Sequence, residues 1–293
     1  MLKLENVTKT FGGFKALDDL SMTVPRGAVY GLVGPNGAGK STAIRHITGV
    51  YRPDSGNILL EGEPVYENPG AKARMCAIPD EIFYFPSATL EDMRKYYKGM
   101  YPTFDDALFA QLGQAFDLPR TSPIRRFSKG MQKQAAFWLA VACRPEVLIL
   151  DEPVDGLDPV MRRQVWSLLL SDVARRETTV LVSSHNLREL EDVCDHVGIL
   201  DSGRMLLERS LADMQGNIVK VQLVGQVPQD LPVLHESSSG RLQTLIVRGS
   251  AQEVTQRIAA ESPAYFDVLP LSLEEIFIYE LGGVNYEVKN IVL

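Results

Sequence analysis

The stretch Gly34-Pro35-Asn36-Gly37-Ala38-Gly39-Lys40-Ser41-Thr42 fits the phosphate-cradling pattern G-x-x-x-x-G-K-[ST]. Its flanks decide how it folds. Val29-Tyr30-Gly31-Leu32-Val33 is an apolar run of strand length, and Ala43-Ile44-Arg45-His46-Ile47 continues as a helix. The glycines therefore fall in a strand-to-helix turn, as the pattern requires. Glycine lets the backbone curl so that successive N–H groups point inward at phosphate oxygens, and the helix N-terminus adds partial positive charge. Lys40 is long enough to reach the β- and γ-phosphates, and the hydroxyl of Ser41 is a ligand for Mg²⁺. The stretch implies a bound nucleoside triphosphate but leaves open what is done with it.

Outward from this loop, residues 1 to about 66 read as strands and tight turns. Leu2 to Val7 and Leu20 to Val24 alternate, and Gly56 to Gly62 is a strand bounded by glycines. From about 87 to 143 the period turns helical, with Leu90, Met93 and Tyr97 on one face and Leu108, Leu112 and Phe116 on another. Buried strand and helix then alternate: Val147 to Leu150, helix from Met161 to Ala174, Val180 to Val182, helix from Leu187 to Cys194, and Val197 to Leu200. This order predicts a mostly parallel sheet with helices packed over it. Asp201-Ser202-Gly203 reads as a hairpin turn. Beyond about residue 212 the texture becomes that of a small α+β domain. Strands are expected at Ile218 to Leu223 and Leu242 to Val247, helices at Gln252 to Ala260 and Leu273 to Leu281, and a turn at Ser237 to Gly240.

The bulk properties narrow the classes. At 293 residues, 45% hydrophobic and 23% charged, the chain is long enough for a large and a small domain with sizeable cores. A net charge of −7 gives no electrostatic footprint for nucleic acid, so none is expected as a partner. Cys76, Cys143 and Cys194 lack metal-ligand spacing and fit simple burial in a reducing compartment, with neither disulfide nor zinc. The sequence opens directly into an alternating strand, without a signal segment, and no apolar run reaches the roughly 18 to 20 residues that cross a bilayer.

A second constellation follows the strand at 147–150. Asp151 and Glu152 are adjacent carboxylates at the carboxyl end of an apolar strand, where open α/β sheets bind their ligands. Asp151 can hold Mg²⁺, usually through water, and Glu152 can polarise a water for attack on the γ-phosphate. Beside a phosphate loop, the pair implies hydrolysis. Phe127-Ser128-Lys129-Gly130-Met131-Gln132 lies upstream, and Asp155-Gly156-Leu157-Asp158 and Ser183-Ser184-His185 lie downstream. Alone, Ser128-x-Gly130 would be an ordinary helix cap and His185 a structural histidine.

Together, and in this order, the five fragments resemble the ATP-binding cassette (ABC) ATPases over residues 1 to about 210. The resemblance implies an α/β P-loop NTPase with a mixed sheet, an N-terminal antiparallel β part and a helical insert. It divides the chain into an ATPase domain at 1–211, with the insert at about 87–143, and a small C-terminal α+β domain at 212–293. It assigns Ser128 and Gly130 to the γ-phosphate held by a facing subunit, His185 to the γ-phosphate and the attacking water, Asp158 to the loop beside the nucleotide, and Phe11 to adenine stacking. For Phe11 simple packing remains open. The loop after Cys76-Ala77-Ile78 carries a glutamine in the family but Asp80 here, a residue that can still bind Mg²⁺. The partners implied are a second ABC ATPase subunit, identical or related, and a separate transmembrane permease. The place implied is the cytoplasmic face of the membrane. The arrangement looks most like the ATP-hydrolysing subunits of antibiotic-resistance-type exporters. Two other readings remain: a soluble ATP-driven clamp on nucleic acid or ribosomes, disfavoured by the absence of a coiled-coil insertion or basic block, and a P-loop kinase.

Overall fold

The computed structural model describes residues 1–216, 218–228 and 230–281. They divide into two compact units, Met1–His185 with His196–Glu208, and Asn186–Asp195 with the chain from Arg209 onward.

The first unit runs β1 (Leu2–Phe11), β2 (Phe14–Val24), β3 (Val29–Val33), α1 (Lys40–Ile47), β4 (Ser55–Leu60), β5 (Glu63–Pro64), α2 (Pro69–Ala73), β6 (Met75–Ile78), α3 (Leu90–Met100), α4 (Asp106–Phe116), α5 (Lys129–Ala142), β7 (Val147–Asp151), α6 (Pro159–Arg176), β8 (Thr179–Ser184), β9 (His196–Asp201) and β10 (Arg204–Ser210). Two sheets result, an antiparallel one in the order β2-β1-β4-β5 and a six-stranded one in the order β10-β9-β3-β8-β7-β6. In the larger sheet β6, β7, β8, β3 and β9 are parallel neighbours. β10 returns through Ser202 and Gly203, both at positive φ (48° and 78°), the backbone of a two-residue hairpin turn. Every residue of β3, β7 and β8 is buried, which explains the apolar runs at 29–33, 147–150 and 180–182 within them. Alternate residues of β1 and β2, among them Leu2, Leu4, Leu20 and Met22, share one core with Ala43 and Ile47 of α1 and with Ile149 and Leu181 of the larger sheet.

The helical insert packs around Trp138 of α5, whose ring stacks on Phe109 (centroids 4.7 Å apart) and Phe116 (6.3 Å). Its indole N–H donates to the Phe109 carbonyl at 2.7 Å. A Cβ on Gly113 would lie 2.8 Å from that ring, so glycine is needed there. The buried stripe of α4 is Phe109, Leu112 and Phe116, one residue off the predicted Leu108, Leu112 and Phe116 at its start. The ring of Phe109 rather than Leu108 meets Trp138 and takes the inner position.

The second unit contains α7 (Leu211–Gly216), β11 (Ile218–Val224), β12 (Val233–Ser239), β13 (Leu242–Arg248), α8 (Ala251–Ala260), β14 (Tyr265–Pro270) and α9 (Leu273–Leu281). Its strands form an antiparallel sheet in the order β12-β13-β11-β14, and Val221, Leu223, Leu245 and Val247 share a core with Val254 and Ile258 of α8. The serines expected in a turn are the end of β12, paired with β13, and the turn itself falls at Gly240, at φ 64°. The helix predicted over 187–194 is a single 3₁₀ turn at Leu187–Glu189 followed by further turns.

Candidate functional site

The strand order decides the site. β3 lies beside β8 and β8 beside β7, so the segments leaving their carboxyl ends emerge side by side. They are the phosphate loop, His185 and the Asp151–Glu152 pair.

The loop is held by its backbone. Gly37 and Gly39 have φ of 84° and 108°, and the Gly34 N–H donates to the Ser184 carbonyl at 3.4 Å. A Cβ on Gly34 would lie 2.2 Å from the Leu200 carbonyl oxygen, and one on Gly39 would lie 2.7 Å from that of Ala16. The left-handed turns aim N–H groups into one concavity, the geometry of a phosphate nest at the start of α1. Lys40 is 6% exposed, and its ammonium donates to the carbonyls of Gly34 (2.7 Å) and Pro35 (3.3 Å). It also lies 3.5 Å from Oε1 of Glu152. Ser41 and Thr42 are half-buried in the first turn of α1.

Glu152 is the centre of the acid–base cluster. Its Oε2 accepts from Nδ1 of His185 at 3.0 Å. A carboxylate can only accept there, so the ring proton stands on Nδ1 and Nε2 is free for another group. Asp151 is buried, and its Oδ1 accepts from Oγ of Ser183 at 2.6 Å, while that same Oγ accepts from the Glu152 N–H at 3.0 Å. Glu152 has φ 45°, a left-handed conformation that costs a non-glycine residue about 1–3 kcal/mol and is held only where its surroundings fix it. The exposed imidazole and the deeper carboxylate form a pair able to take and pass a proton. Glu152, Asp155 and His185 also bring one donor atom each within 4.8 Å of one another. The hard oxygens of Ser41 and Asp151, one half-buried and one buried, are a donor set suited to Mg²⁺.

The other predicted residues are distributed around these. Ser128 is exposed and caps α5, its Oγ accepting from the Met131 N–H at 3.2 Å. Gly130 faces the Gly156–Leu157 turn, where a Cβ would lie 3.7 Å from Leu157. Asp158 is exposed and caps α6 through the N–H groups of Val160 and Met161. Asp80 lies in a cleft of about 550 Å³ lined by Glu81, Ile82, Lys129, Lys133 and Asp155 among others, with its carboxylate 3.7 Å from the Lys133 ammonium. Phe11 stands on the other sheet, 42% exposed, at the end of β1, edge-on to Tyr51 at 5.5 Å and beneath the Lys9 ammonium at 5.4 Å. Two features were missed from sequence. Ser183 carried no signal beyond its place before His185, and Lys133, a lysine one helical turn inside α5, had none.

Comparison with known proteins gives the same assignment. The ABC transporter family profile matches residues 17–155. The ABC transporter ATP-binding protein YtrB of Bacillus subtilis is 30% identical over 290 residues, covering 97% of this chain and 99% of its own. The Nod factor export ATP-binding protein I of Sinorhizobium fredii is 30% identical over 302 residues, covering 96% and 86%. A solved ATP-binding subunit of an ABC transporter superposes with a TM-score of 0.68 at 28% identity, over 73% of this chain and 92% of that one. The chain belongs to the ABC transporter ATP-binding proteins and is an ATPase subunit of that family. This favours the transporter reading over the nucleic-acid or ribosome clamp.

Proposed function

We propose that this chain binds ATP with Mg²⁺ between two copies of itself, or between itself and a related chain, and that its hydrolysis drives a separate transmembrane subunit in export. The convergence of Lys40 and His185 on Glu152, at the ends of neighbouring strands, carries this reading. Lys40 leaves its loop carbonyls for the β- and γ-phosphates. Glu152, released from that ammonium, takes a proton from the attacking water, and His185 holds the water and the γ-phosphate through its free ring nitrogen. Ser41 and Asp151 would hold Mg²⁺, which neutralises charge developing on the phosphates. Phe11 offers an exposed face to adenine, and Asp80 is a further candidate oxygen near the metal.

Ser128, Gly130 and the α5 N-terminus form an anion site open to solvent, and in this reading they meet the γ-phosphate bound by the facing subunit. The exposed rings of Phe83, Phe85 and Tyr96 contact one another in series at 6.1 and 5.7 Å, just beyond Asp80. Such a patch suits an apolar helix presented by the membrane partner. Among the described residues, no helix is long and apolar enough to cross a membrane, which fits a peripheral subunit on the cytoplasmic face. Export follows the function printed for the Sinorhizobium relative.

The test is the Glu152→Gln variant. It should bind ATP as the parent does and release phosphate about 10²–10⁴-fold more slowly. Undiminished turnover would remove Glu152 as the base.

A further inference from the structure

Lys133 is buried and its ammonium donates to the backbone carbonyl of Glu152 at 2.8 Å, while the carboxylate of that residue meets Lys40 and His185. A lysine costs free energy to bury and does so where its charge is used. Here it meets one carbonyl and one carboxylate, that of Asp80 at 3.7 Å. The carbonyl belongs to a residue whose backbone has two reasons not to adopt its conformation. Glu152 is a non-glycine residue at φ 45°, and it precedes Pro153, which pushes its predecessor toward extended geometry. Its N–H is tied to Ser183 and its C=O to Lys133. With both ends of the residue pinned, the Cα–Cβ bond has a fixed direction, and the carboxylate is delivered to Lys40 and His185.

We propose that Lys133 is a positioning residue for the general base, and that Asp80 modulates it by sharing the same ammonium. This deepens the functional reading above and rests on Glu152 as the base. The chemistry is a charge-assisted hydrogen bond at the part-buried wall of the cleft, about twice as strong as a neutral one. Asp80 lies on the segment that leads into the exposed aromatic patch and draws on that bond from the far side. When Asp80 moves away, Lys133 is left wholly to the Glu152 carbonyl. When it moves in, the bond to the carbonyl weakens. The departure from glutamine at 80 and the lysine at 133 thus form one electrostatic unit, linking the segment before the aromatic patch to the backbone of the base.

Lys133→Met removes the charge and the donor while keeping the length of the stem, and Lys133→Arg keeps both. With the full chain, single-turnover ATP hydrolysis and nucleotide affinity are measured on each variant, with circular dichroism to confirm folding. Lys133→Met should lose up to about 10²-fold in the hydrolysis step with ATP affinity unchanged, and Lys133→Arg should recover most of that loss. In a Glu152→Gln background, Lys133→Met should cost nothing more, because it acts only through Glu152. Asp80→Asn should change the rate by a larger factor in the parent than in the Lys133→Met variant, the difference being the part that runs through Lys133. If Lys133→Met fails to fold, Lys133→Gln, which keeps a neutral donor, and the Asp80→Asn effect carry the same comparison.

A folded Lys133→Met variant with the parent's rate overturns the inference, as does a loss that simply adds to that of Glu152→Gln. A Glu152→Gln variant that hydrolyses like the parent overturns the functional reading instead, so the two failures are distinguishable.

Discussion

The two edges of the nucleotide site differ in how far the chain completes them. On the inner edge, Lys40 and Glu152 are 6% and 13% exposed by side chain, and each already has partners inside the chain. On the outer edge Ser128, Lys129, Gly156 and Asp158 are all exposed, and the two helix caps among them satisfy only their own helix starts. A surface that ends in helix N-termini and uncovered polar groups is built to receive an anion. In the proposed reading the inner edge is complete within one chain and the outer edge is one half of a contact, which is what a composite site means physically.

Breaking the inner edge should have the largest effect. Gly34→Ala puts a Cβ 2.2 Å from a backbone oxygen that cannot step aside, so it should cost about 3 kcal/mol or more and abolish ATP binding, as read by thermal melting and nucleotide titration. On the outer edge, Ser128→Ala should cost only about 1 kcal/mol of stability through the lost cap. The same change should leave ATP binding by a single chain intact yet slow turnover, because in the proposed reading the missing hydroxyl meets the nucleotide of a second chain. Equal loss of binding and turnover would erase the contrast between the edges.

The smallest expected effect sharpens the inner edge by pH. His46 of α1 is fully buried; its Nδ1–H donates to the Thr42 carbonyl at 2.7 Å, while Nε2 has no hydrogen-bond partner among the described residues. Burial holds its pKa below the usual value of 6.5, opposed by the Thr42 carbonyl. The unfolded chain therefore takes up the proton first as pH falls. The stabilisation is complete above about pH 6.5 and is lost below it, toward and through the folded pKa. His46→Gln should remove that part of the pH dependence of thermal stability and leave the neutral-pH rate of hydrolysis almost untouched.

How much of this was legible in sequence follows from distance along the chain. The phosphate loop is nine consecutive residues between a strand and a helix, and Glu152 is one step from a fully buried strand, so local pattern located both. Lys133 touches a carbonyl 19 residues away and a carboxylate 53 away, and neither contact leaves a mark on its neighbours. Leu187, Leu190 and Cys194 carry helical spacing, but the chain meets those intervals with separate turns, Leu190 and Val193 each donating three residues back and Cys194 four back to Leu190, rather than with a continuous helix. β12 escaped notice because all of its residues after Val233 are exposed, so neither face shows the alternation that marks a strand.

The central claim is that one chain carries only half of each ATP site, and the most direct measurement is the mass of the Glu152→Gln variant in solution with and without ATP and Mg²⁺, by light scattering. With hydrolysis blocked, the mass should be that of two chains in ATP and of one chain without it. A single-chain mass in saturating ATP, with the nucleotide demonstrably bound, would exclude pairing between identical copies, and the same result with the related chain also supplied would contradict the account.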